Sequence, residues 1–158
     1  MSVLKLKNRY LVGLGSWLNE LQLAGKESRE RTRFVNLIIA RIGETDKFRE
    51  AIVDKYVKKD KNGEKVKKVL ENGTEVWDIS GTDMKAYEKE YQDLMDDVWN
   101  LDVLEGNKEK LKVVQDIVLN TEYKFGPKEG NTQEEKIANI RQAADYEIWC
   151  DAFEEIKL

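Results

Sequence analysis

Three arginines at alternate positions, Arg29, Arg31 and Arg33, stand in the run Lys26-Glu27-Ser28-Arg29-Glu30-Arg31-Thr32-Arg33, the part of the chain whose charge pattern is most unusual. Cations in the first turns of a helix oppose its dipole, so three of them there are costly unless acids or an anionic partner lie opposite. Internal pairing with the acidic C-terminal half is the leading account of them. A protein partner comes next, and nucleic acid last, because a nucleic-acid domain usually shows a clearly basic balance. On a helix Arg29 and Arg33 share a face while Arg31 points about 200° away from Arg29, so the three cannot all turn inward. Arg31, or else the Arg29 and Arg33 pair, is therefore expected on an exposed partner-binding surface.

Other chemistry has little to build on. The chain contains no histidine, which removes every Ser-His and Cys-His arrangement and the commonest metal ligand. The single cysteine, Cys150, follows Trp149 and has no cation close by on its own helix, the setting of a buried structural thiol. Carboxylates gather at Asp93, Asp96 and Asp97 and again at Asp145, Asp151, Glu154 and Glu155, and both groups read as solvated helix faces. Leu11-Val12-Gly13-Leu14-Gly15-Ser16 lacks the third glycine of a dinucleotide site, and no Gly-Lys-Ser/Thr of a P-loop occurs. No catalytic, cofactor-binding or metal-ligating residue is assigned, and no cofactor is expected.

A chain of 158 residues suits one domain, and charged residues at 37% point to much solvated surface. The net charge of −4 conceals an asymmetry, since residues 1–41 carry +5 and the remainder −9. The longest purely apolar runs, such as Leu37-Ile38-Ile39-Ala40, fall far short of a membrane span, so no membrane partner is expected. No charged-then-apolar leader opens the sequence; together with the lone cysteine this points to a reducing, cytoplasmic setting.

These residues must be positioned by mostly helical elements. The central one is a long helix from Ser28 to about Lys59, striped by Phe34, Ile38, Ile42, Phe48, Ile52 and Tyr56, with a break conceivable near Gly43. Before it, Val3–Lys7 alternates like a strand, and a helix over Arg9–Leu21 follows a cap at Asn8. After it, Asn62-Gly63 and Asn72-Gly73 mark tight turns, the second closing a hairpin of Glu64–Leu70 with Thr74–Ile79. A third strand for that hairpin is sought in the first residues of the chain or in Leu101–Leu104. Further helices are expected over Asp83–Asn100, from Gly106-Asn107 to Asn120, and over Gln133–Glu155 behind a Thr132/Glu135 capping box. Thr121–Asn131, with Gly126-Pro127, reads as a surface loop and as the next candidate for docking. The fold class is α+β, mostly helical, with a long central helix and a small antiparallel sheet. The four tryptophans, spread along the chain, are expected to share one core.

Three separated pieces, Leu4-Lys5-Leu6-Lys7-Asn8, the block from Gly25 to Val35, and Tyr146-Glu147-Ile148-Trp149-Cys150-Asp151-Ala152-Phe153-Glu154, resemble an uncharacterised family of small proteins encoded by phages and prophages of Gram-positive bacteria. The resemblance implies a setting and no catalytic residues. Within it, the leading expectation is a non-enzymatic phage accessory protein of the host bacterial cytoplasm that binds another protein, a host or anti-phage defence factor. The alternative is a structural or assembly part of the virion near the tail. In both, the arginine block is expected to pack against the acids around Asp145 and Asp151.

Overall fold

The computed structural model describes residues 2–121 and 132–158. Its elements in chain order are β1 (Val3–Lys7), a 3-10 turn (Asn8–Tyr10), α1 (Leu11–Glu20), α2 (Gly25–Tyr56), β2 (Lys67–Val69), β3 (Glu75–Trp77), α3 (Gly81–Asp96), β4 (Val98–Asp102), α4 (Glu105–Asn120) and α5 (Gln133–Glu154). Helix makes up 67% of the described chain, and the strands form two separate two-stranded antiparallel sheets, so the fold is α+β and mostly helical. Contacts gather in two compact units, residues 1–42 with 98–158, and residues 43–97.

The first unit rests on the period of two in β1. Leu4 and Leu6 are buried while Lys5 and Lys7 face water, and the strand pairs antiparallel with β4, setting Leu4 opposite Leu101 and Leu6 opposite Trp99. Such directly opposed apolar pairs each add a few tenths to about 1 kcal/mol. This pairing corrects two expectations. Val98 and Trp99 do not continue α3, which ends at Asp96 with Asp97 extended, and neither β1 nor residues 101–104 join the hairpin. The alternation of Trp99, Leu101 and Val103, all partly buried, is a strand signal that outweighs the helical spacing shared with Tyr91 and Met95.

Over that sheet pack α1, the start of α2, α4 and the end of α5. Trp17 stacks on Trp149 with ring centroids 5.5 Å apart, and Phe34 meets Phe153 at 6.0 Å. Gly13 admits Trp149: a Cβ at that position would lie 3.2 Å from the indole ring. Trp149 also donates its indole N–H to the Tyr10 carbonyl at 3.2 Å, satisfying a group that would be costly to bury alone. Gln115 on α4 donates to the Phe153 and Ile156 carbonyls at 2.8 and 3.2 Å, ending α5 with a side-chain amide. The Thr132/Glu135 capping box is present at the start of α5. Along α5, Trp149 and Phe153 are buried whereas Ile137, Ile140 and Ile148 are exposed.

The second unit is built on the later turns of α2, the hairpin and α3. No break occurs at Gly43, and α2 runs continuously to Tyr56. Thr45, Val53 and the following Val57 are buried, while Phe48, expected on the inward stripe, is 60% exposed. Both Asn-Gly turns form, with Gly63 and Gly73 at φ +79° and +83°, values that only glycine adopts readily. Asp60 holds the first turn through one carboxylate oxygen that accepts the Asn62 and Glu64 amides, and Asn72 accepts from Thr74 in the second. Trp77 lies in this unit rather than in the core of Trp17 and Trp149, which Trp99 flanks. The Gly126-Pro127 loop lies outside the described residues. Among those described, no helix is long and apolar enough to cross a membrane.

Two outcomes follow from the first core. Phe153→Ala lowers stability by about 3–5 kcal/mol, read as an earlier midpoint in urea unfolding. Burial first, and then Cys150 beside it, push the Tyr146 phenol up to about 12 from an ordinary value near 10. Above about pH 10 the unfolded chain gives up a proton that the folded one holds, so stability falls as pH rises from about 10 to 12. Tyr146→Phe removes its share of that alkaline loss, which unfolding midpoints at about pH 9 and pH 11 measure.

Candidate functional site

The arginine block opens α2, and the structure separates its three members by role. Arg31 turns inward: its Nη1 donates to the Leu18 and Leu21 carbonyls at 2.6 and 2.9 Å, and its Nη2 to Ser28 Oγ at 3.3 Å. The carbonyls at the end of α1 carry its negative dipole end, and Leu18 accepts only a long 3.4 Å bond from the Leu21 amide among local backbone donors, so a guanidinium there is well placed. Arg31 is therefore not the exposed member of the set. Arg33 pairs with Glu30 at 2.8 Å one turn earlier; Glu30 is buried and Arg33 exposed. Arg29 is exposed. The outward pair is thus Arg29 and Arg33. The expected packing of the block against the acids around Asp145 and Asp151 is corrected on the same ground: Arg31 and Arg33 find their partners in α1 and α2.

The carboxylate groups on α3 and α5 stay dispersed: among the described residues no three Cys, Asp or Glu side chains converge as they would around a metal ion. Cys150 is half-buried with Sγ 3.8 Å from the Val118 carbonyl, to which the Tyr146 hydroxyl donates at 2.6 Å. Burial raises the Asp145 carboxyl above its ordinary range, against a smaller opposing pull from Arg141.

In the second unit lies an arrangement that the sequence did not single out. Arg49, Glu50 and Val53 of α2, Lys65 before β2, Trp77 of β3, and Tyr87 and Tyr91 of α3 line an open groove of about 390 Å³. Each comes from its own local logic. Arg49 and Val53 are one turn apart on α2, Tyr87 and Tyr91 one turn apart on α3, and the hairpin register sets Lys67 opposite Trp77. The Lys65 and Lys67 ammonium groups lie 5.6 and 4.9 Å from the Trp77 ring centroid. Tyr87 sits 6.3 Å from both Tyr56 and Tyr91, and burial, ahead of the nearby Tyr91, raises its phenol above the ordinary value. Arg49 bonds Asp46 at 2.9 Å and Lys65 bonds Asp54 at 3.2 Å, both partly exposed pairs. Behind the groove, Glu90 accepts from Tyr56 at 2.8 Å and from Lys55 at 2.5 Å, tying α3 to the end of α2.

The groove offers π faces and cations to an incoming group. Tyrosines at i, i+4 are visible in the sequence, but Lys65 and Lys67 stand ten or more positions from Trp77, and their meeting with it depends on hairpin register. Comparison with known proteins gives no matching family model, no matching curated sequence and no matching solved structure.

Arg31→Ala takes the guanidinium from the Leu21 carbonyl and leaves the Leu18 carbonyl with the 3.4 Å bond from the Leu21 amide, which costs about 1–3 kcal/mol. Arg31→Lys does not restore the full value because one ammonium replaces a forked donor. Arg29→Ala, at an exposed position, stays within about 0.5 kcal/mol of the parent. Thermal unfolding of the three variants side by side checks the order.

Proposed function

We propose that this chain is a non-enzymatic accessory protein of a phage or prophage that acts by binding another protein, a host or anti-phage defence factor. The observation that carries the reading is the groove. Arg49, Trp77, Tyr87 and Tyr91 are of the three residue types that supply most of the energy in protein–protein contacts, and they line one concave, partly desolvated surface. The absence of histidine from the sequence supports the non-enzymatic part. The phage setting rests on the resemblance of the three sequence pieces.

Arg29 and Arg33 serve as a second, exposed basic face. Rim charges of this kind act mainly on the rate of encounter and on salt sensitivity, whereas well-packed aromatic anchors hold the complex once formed. Tagged protein expressed in infected cells captures a partner specifically. The Arg29→Glu, Arg33→Glu double variant slows association and flattens its salt dependence with Tm within a few degrees of the parent; Tyr91→Ala speeds dissociation. If both variants capture as the parent does, neither surface is the docking site. Mass spectrometry of purified virions separates the two biological readings, since a stoichiometric signal there would replace the host-directed role by a tail or assembly part.

A further inference from the structure

The chemistry around the groove narrows what it takes. The unit as a whole carries eleven basic and fifteen acidic residues, yet six lysines and only two acids fall between Lys58 and Lys68. The lysines thus gather on the strand and turn that lead into the hairpin, while its turn and return arm carry Glu71, Glu75 and Asp78; at the groove itself Lys65 supplies a cation from the hairpin side and Arg49 a guanidinium from the α2 wall. Lys59, Lys61, Lys67 and Lys68 are all exposed. The cations lining the groove are engaged by Asp46 and Asp54, partly exposed carboxylates whose pairs are worth under about 1 kcal/mol and exchange readily for carboxylates of a partner. A volume of about 390 Å³ is enough for one large side chain and short of what a folded element needs.

We infer that the groove binds an acidic segment of a partner protein, with one aromatic or aliphatic side chain seated among Trp77, Tyr87 and Tyr91 and flanking carboxylates held by Arg49, Lys65 and Lys67. This rests on the protein-binding reading and specifies its partner chemistry. Single-stranded nucleic acid also uses aromatic platforms and cations. The Glu50 carboxylate in the groove wall opposes a continuous run of phosphates, while discrete carboxylates can be placed to avoid it.

The test selects peptides from a random twelve-residue display library on the full-length chain and measures the winners by fluorescence anisotropy, beside a fifteen-nucleotide oligothymidine. The expected winners carry acids around one aromatic or aliphatic residue and lose at least tenfold in affinity on Arg49→Glu or Tyr91→Ala. Lys67→Glu weakens them too, and Lys136→Glu on α5 leaves binding unchanged. Matching thermal unfolding of each variant separates loss of the site from loss of fold. Winners without acidic enrichment, winners indifferent to Arg49→Glu, no winners at all, or tighter binding of oligothymidine than of any peptide would each overturn the inference. A groove whose substitution abolishes capture of the cellular partner but whose selected peptides are not acidic leaves the docking role standing and removes only the acidic segment.

Discussion

Trp149 lodged against Gly13 is the contact on which the first unit depends. The indole packs tightly on Gly13, where a Cβ would press on the ring at 3.2 Å, and it stacks on Trp17 and donates to the Tyr10 carbonyl. That one ring joins α5 to both ends of the N-terminal segment. The burial of Phe153 one turn later, and the reach of Gln115 to the carbonyls at the end of α5, add to a helix already anchored. Aromatic pairs contribute about 0.5–1.5 kcal/mol beyond the area they bury, so the cluster has orientation as well as weight.

Charge follows the same division into units. The basic excess of residues 1–41 is offset within the first unit, which carries sixteen basic and sixteen acidic residues in all. The acidic excess of the molecule therefore belongs to residues 43–97. Arg31 is spent on α1, so the unfavourable position of a cation early in α2 is offset by its place at the C-terminal end of another helix.

Local signals in the sequence carried far. The alternation in β1, the two Asn-Gly turns, the capping box at Thr132 and the long helix are all set by residues within a few positions of one another, and all of them form. What was hidden was pairing. Trp99 shares helical spacing with Tyr91 and Met95 and alternation with Leu101 and Val103, and its place in a strand is completed by β1, some ninety positions away. The same holds for the arginines: geometry on the helix separated Arg31 from Arg29 and Arg33, but which side faced inward depended on where α1 ended. The groove was least legible, because its aromatic residues look like packing until the hairpin and α3 are placed and their rings are found lining open space.

The order of the units along the chain has a consequence for biosynthesis. Residues 43–97 gather their contacts chiefly within one contiguous stretch, so this unit can close soon after it leaves the ribosome. The first unit interrupts itself: β1 waits for β4, and α1 waits for Trp149, almost the whole chain later. Until then Leu4, Leu6, Leu14 and Phe34 are emerged but uncovered. Early closure of the inserted segment shortens the effective loop between the two halves, and each halving of a flexible loop lowers its closure cost by about 0.6 kcal/mol. The inserted unit thus serves the nascent chain as a folded spacer that brings the halves of the first core together.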